Sequence, residues 1–256
     1  MKIVCIKAKH IMASITLALV LAMLMVATSA TNSAAVFLGS SPRLVPIYSV
    51  KTEEKKVALS FDAAWGSDKT SKIVEILQKE GIKATFFLVG FWVEANPDKV
   101  KEIYDAGFDI GTHSNTHPKM STLSSAQVSH ELVTSCELIS NITKSPVKFF
   151  RPPYGDYNDQ LINIASSLGL KTIQWDVDTL DWKGLSGEQI LTRVQRSVKN
   201  GSIILCHNNS DHILEALPLM IKYLKSEGYS IVKMSELVYE NDYTIDNNGV
   251  QIKNKG

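Results

Sequence analysis

One pattern limits what this chain can fold into more than any other. Short β-rich apolar runs recur at Val57–Phe61, Ala84–Val89, Phe108–Thr112, Val147–Phe150, Thr172–Trp175, Ser202–Cys206 and Ser230–Val232. Between them lie amphipathic stretches, several closed by a glycine where a helix would stop: Gly81, Gly107, Gly169, Gly201 and Gly228. Strand, helix, glycine and strand again is the rhythm of a parallel sheet, because a helical crossover returns the chain to start the next strand in the same direction. Seven parallel strands are predicted in one domain over residues 55–240, an α/β fold of distorted barrel type. No internal repeat or mid-chain linker divides it.

Composition enters as a filter. The chain has 256 residues, 45% of them apolar and 21% charged, enough to bury a full core. Its 27 basic and 26 acidic residues are scattered, so no cationic stripe offers phosphates a footprint, and nucleic acid is excluded as a partner. Cys5, Cys136 and Cys206 form no C-x-x-C, which argues against a zinc knuckle or redox motif and favours unpaired thiols.

The N-terminus reads as an address. Lys2, Lys7 and Lys9 precede an apolar stretch from Ile11 to Ala27, and small residues follow, the order of an export signal. The run is longer than the ~7–15 residues of an ordinary signal core and near the ~17-residue lower limit of a spanning helix, so cleaved peptide and uncleaved anchor both stand. Residues 1–34 are assigned as signal peptide or anchor, 35–54 as linker and 241–256 as a polar, mobile tail. The protein is expected outside the cytoplasm, either secreted or tethered to the membrane through this segment.

In a parallel barrel the loops leaving the carboxyl ends of the strands meet on one face. Asp62, His113, Arg151, Asp176, Asp178 and His207 each stand at or just after the end of an apolar run, so they are expected to converge there. His113 and His117 are spaced i and i+4, which on one helical turn would present two imidazoles to a single divalent ion. Asp176 is read as an exposed loop acid.

Five runs in order, Ser60-Phe61-Asp62-Ala63-Ala64-Trp65-Gly66, His113-Ser114-Asn115-Thr116-His117-Pro118, Arg151-Pro152-Pro153-Tyr154-Gly155, Asp178-Thr179-Leu180-Asp181-Trp182 and Leu205-Cys206-His207, resemble the five motifs of the NodB-homology polysaccharide deacetylases, carbohydrate esterase family 4. The F-D-x-x-W-G form of the first resembles the sporulation-associated PdaB-type branch. The resemblance implies removal of acetyl groups from a polysaccharide, peptidoglycan or a chitin-like glycan, by metal-assisted general acid/base catalysis. It makes Asp62 the general base, His113 and His117 the metal ligands, Arg151 the residue that orients Asp62, and His207 the acid, partnered by Asp178. The backbone N–H of Tyr154 would stabilise the oxyanion, and Trp182 and Leu205 would line the acetyl pocket. These roles are chemically coherent, since a bound ion lowers the pKa of water from ~15.7 toward ~7 and an imidazole near a carboxylate is a fit acid for a leaving amine.

One place departs from the pattern. The family carries two consecutive aspartates in the first motif, the second a metal ligand, and here that place is Ala63. Zinc prefers three or more protein ligands, so the implied ion (zinc, with cobalt or manganese as alternatives) would be weakly held, completed by a nearby acid such as Asp68 or Asp62, or lost. A catalytically impaired glycan-binding protein is therefore the alternative to an enzyme. A glycosidase using Asp62 and Asp178 as its carboxyl pair is the remaining rival, and the histidine pair speaks against it.

Overall fold

The computed structural model describes residues 12, 15–23 and 43–254. By compactness the chain divides into Met1–Arg43 and Leu44–Gly256. In the first unit residues 15–23 are helical, and the Thr16 hydroxyl donates to the Met12 carbonyl at 2.8 Å. The rest of the expected leader lies outside the described residues. Among the described residues no helix is long and apolar enough to cross a membrane.

The second unit is a curled parallel sheet wrapped by helices. Its strands are β2 (Lys56–Ala63), β3 (Thr85–Leu88), β4 (Asp109–Thr112), β5 (Phe149–Phe150), β6 (Lys171–Thr172), β7 (Val177–Asp178), β8 (Ile203–His207) and β9 (Ser230–Val232). The order is β6-β5-β4-β3-β2-β8-β7, with β9 alongside the start of β2. Strand β2 is central and, after Lys56, entirely buried, because helices cover one face and the barrel interior the other. The rings of Phe61, Phe86 and Phe108 stack across neighbouring strands at 5.0 and 5.9 Å between centroids.

The run Thr172–Trp175 is not one strand. Within it only Thr172 belongs to a strand, β6, and β7 begins after the run has ended; the two strands occupy opposite ends of the sheet although only residues 173–176 separate them. The five steps from Thr172 to Val177 reach at most ~18 Å, so the sheet must curl until its two ends nearly meet. The gap is filled by a segment expected to be linker. Ile47 N donates to Thr172 O, Gln174 N to Ile47 O at 2.7 Å and Val50 N to Gly201 O at 2.9 Å. Gly201 is required there, since at φ +80° a Cβ would lie 1.7 Å from the Val50 carbonyl oxygen.

The expected mobile tail is also structured. Tyr243–Ile245 (β10) and Val250–Lys253 (β11) form an antiparallel hairpin, and β11 pairs in parallel with Ser49–Val50 (β1). Apolar residues pull both ends inward: Ile47 and Val50 are buried in a cluster with Ala58, Phe87, Ile203 and Met234. Cys136 and Cys206 are free thiols, as the sequence indicated.

Candidate active site

Strand register explains why the polar residues meet. Asp62 on β2 pairs directly with His207 on β8, so both side chains leave the sheet on the same face. Ala63, Leu88, Thr112 and Phe150 are level across β2 to β5, which puts His113 and Arg151 one step beyond the strand ends. A cavity of about 580 Å³ opens there, lined by Asp62, His113, His117, Tyr154, Trp182, Leu205, His207 and Asp178 among others.

Asp62 is buried, and its Oδ1 accepts from Arg151 Nη1 at 2.8 Å. Burial pushes its pKa up, but the Arg151 guanidinium, with His113 and His207, more than offsets this and holds it below the ordinary carboxylate range. Arg151 is fully buried, with its guanidinium 4.1 Å from the Phe87 ring centroid and Nη2 donating to Gln174 O at 3.2 Å. The second oxygen of Asp62 therefore remains available to the cavity.

His113 shows which nitrogen carries its proton. Nδ1 lies 2.7 Å from the carbonyl oxygen of Arg151, and a carbonyl can only accept, so Nδ1 is the protonated nitrogen. Burial pushes the His113 pKa down, which leaves a neutral ring whose bare Nε2 faces Asp62 Oδ2 at 3.5 Å. Burial and the neighbouring His113 lower the His117 pKa to about 4, and its Nδ1 is buried with no hydrogen-bond partner. The two rings meet edge to face at 4.9 Å.

No helical turn brings them together. Ser114 and His117 have φ of 69° and 59°, so the pair sits on a bent loop instead. The buried carboxylate of Glu131, on the helix Ser125–Thr143, holds that loop by accepting from the N–H groups of Asn115 and Thr116, both at 2.8 Å, and from the Thr116 hydroxyl. Sequence reading missed Glu131, which looks there like one more polar residue of an amphipathic helix.

The histidine pair supplies two nitrogen ligands, but the third family place is the fully buried methyl of Ala63, part of the apolar core. Asp68 does not line the cavity, and Asp62 is held by Arg151 through Oδ1, which leaves only Oδ2 facing His113. Among the described residues no group of three or more His, Cys, Asp or Glu is arranged to hold an ion. The donors present do not fit a closed zinc site.

The partner of His207 is Asp181, not Asp178. Asp181 is fully buried, its Oδ1 2.7 Å from His207 Nδ1 and its Oδ2 accepting the His207 N–H at 2.8 Å. Burial pulls the His207 pKa down, and the hydrogen bond and charge of Asp181, helped by Asp62 and Asp178, reverse this and raise it. Asp178 lines the cavity, but its Oδ1 accepts from Leu180 N at 2.9 Å. The left-handed φ of Leu180, 50°, turns the chain so that the second aspartate of D-T-L-D points inward. Asp176 is no exposed loop acid: its carboxylate accepts from Ile203 N and the Ser202 hydroxyl and ties the chain entering β7 to β8. Tyr154 lies in a 3₁₀ turn at φ 60° with its ring 4.6 Å from that of His117, and Leu205 is buried in the wall.

Comparison with known proteins agrees with this picture. Residues 49–173 match the family described as polysaccharide deacetylase. The chain is 37% identical over 195 residues to the uncharacterized protein YlxY of Bacillus subtilis, covering 76% of this chain and 61% of that protein. It is 31% identical over 196 residues to a peptidoglycan-N-acetylglucosamine deacetylase of Bacillus cereus, covering 75% of this chain and 92% of the other. Among solved structures, BA3943 of Bacillus anthracis, described as a CE4 family pseudoenzyme, superposes with a TM-score of 0.74 at 40% identity, covering 78% of this chain and 70% of that one. A variant of BA3943 with restored enzymatic activity superposes equally well, at 42% identity, covering 78% and 73%.

Proposed function

Since the chain belongs to the polysaccharide deacetylase family, we propose that it hydrolyses N-acetyl groups of a cell-wall glycan, peptidoglycan being the substrate its relatives' names favour. One observation carries the reading: a carboxylate and an imidazole flank the same cavity on register-paired strands, each held by its own buried partner of opposite charge. Asp62, fixed through Oδ1 by Arg151, accepts the proton of the attacking water. His207, kept protonated by Asp181, delivers a proton to the departing amine. The acetyl group sits between them, against Leu205 and Trp182. The order of basic, apolar and small residues at the N-terminus supports action outside the cytoplasmic membrane.

A second reading has its own support. With Ala63 buried in the core and a 40% identical structure described as a pseudoenzyme, the fold could hold glycan without turning it over. Acetate release from N-acetylated glycan, measured with chelator and with added Zn²⁺ or Co²⁺, separates the two. Release above background in any arm is the expected result. Retained glycan binding with no acetate under every condition would establish the second reading instead.

A further inference from the structure

Three large aromatic side chains stand in water at the rim of the cavity: Trp65 is 57% exposed, Tyr154 63% and Trp182 60%. The family motifs account for Tyr154 and Trp182 but assign nothing to Trp65. Exposed rings gathered around one opening mark a surface that expects an apolar counterpart.

Trp65 is also held rigidly. Its indole packs edge to face on His117 at 4.9 Å and lies 6.2 Å from Phe91. The next residue, Gly66, has a carbonyl that receives two side-chain donors, Trp92 Nε1 at 2.7 Å and the buried Asn208 Nδ2 at 2.9 Å. Gly66 itself has φ +67° and lies against Asn209, so the turn has little room to move. A preorganised ring loses little freedom on binding, so more of its contact energy appears as affinity.

The walls say what such a ring would meet. The cavity lining carries Asp62 and Asp178 but no lysine or arginine, and its cationic group, the His207 imidazole, is engaged by Asp181, so the wall beside Trp65 offers no counter-charge to an acidic ligand. A neutral pyranose has one face of C–H groups that stacks on an indole and a rim of hydroxyls left for water. The acetyl group being removed must reach the floor between Asp62 and His207, whereas Trp65 stands on the rim beside His117, so the ring it meets is a neighbour of the one being deacetylated.

We infer that Trp65 is a stacking platform for a second, neutral N-acetylhexosamine ring, and thereby a specificity-determining residue that favours a glycan chain over a single sugar. The inference rests on the glycan reading above. Calorimetric titration with the N-acetylglucosamine tetramer tests it on the unaltered chain, Trp65→Ala and Trp65→Phe, each checked for folding by circular dichroism. Trp65→Ala should weaken tetramer binding roughly tenfold, and Trp65→Phe should restore most of it. Unchanged affinity in a folded Trp65→Ala, or an equal loss in both variants, overturns the stacking role while leaving the glycan reading intact. Failure of the unaltered chain to bind the tetramer overturns the platform alone, since the glycan reading is decided separately by acetate release.

Discussion

Replacing Asp181 by Asn keeps the volume of a fully buried side chain and removes its charge. In the native site its two oxygens meet two donors, the His207 ring nitrogen at 2.7 Å and the His207 backbone N–H at 2.8 Å. An amide has one acceptor oxygen, so one of those donors must face an NH₂ group. The loss is one buried charge-assisted hydrogen bond, about 1.5–3 kcal/mol. At about 1.4 kcal/mol per pH unit, the midpoint of His207 should fall by about 1–2 units. The raised pKa means that this pair stabilises the fold fully below the unfolded histidine value, and that the contribution fades as pH rises through the folded one. Asp181→Asn should therefore shrink the pH-dependent part of stability and move the alkaline limb of acetate release to lower pH. Asp178→Asn is the control: its carboxylate bonds Leu180 N and reaches His207 only through space, so its effect should be less than half as large. Titration of the His207 ring protons by NMR reads the midpoint without requiring turnover. A shift in Asp178→Asn equal to that in Asp181→Asn would refute the assignment.

Ala63→Asp should raise affinity for Zn²⁺ or Co²⁺ in calorimetry while lowering the melting temperature of the metal-free protein, because the new carboxylate enters a fully buried apolar place; a melting temperature indifferent to added ion would mean that no site had formed. Asp62→Asn should abolish acetate release and also cost about 3–5 kcal/mol in urea denaturation, since it leaves the fully buried Arg151 without its counter-charge; a variant as stable as the native chain would show that the pair is not needed for the fold. His117 titrates near 4 in the folded chain against 6.5 as its reference, so its contribution to stability is complete above 6.5 and is lost as the pH falls toward 4. His117→Gln should flatten that acid-side slope in urea midpoints taken between pH 7 and 4.5, and an unchanged slope would place the sensitivity elsewhere.

Much of the site was legible because it depends on a local rule. Residues that follow strands in a parallel barrel share a rim, so Asp62, His113, Arg151 and His207 could be placed from their positions after apolar runs. Asp181 could not, because choosing between two aspartates three residues apart requires knowing that Leu180 adopts a left-handed conformation. Glu131 was hidden for a similar reason: it acts on backbone N–H groups, which look alike in any sequence. The fold failed to declare itself where pairing is remote. Thr172–Trp175 reads as a continuous β-run, and only the closing of the barrel reveals that the chain must leave one sheet edge and arrive at the other. The polar C-terminal stretch reads as a tail because its partner β1 lies at the far end of the domain.

That remote pairing sets an order of assembly. The strands β2 to β6 can accrete one crossover at a time and β8 then returns to β2, but β1 has its register with β11, on the order of 200 residues later, so this loop is the costliest of the domain to close. Gln174 hangs on the result, since its N–H is held by Ile47 in the closing segment while its carbonyl receives Arg151 and its side chain reaches Gly155. Arg151 in turn sets the charge and aim of Asp62. The base is thus finished only when both ends of the domain have arrived, and a nascent or truncated chain would carry all the residues of the site without yet having the site.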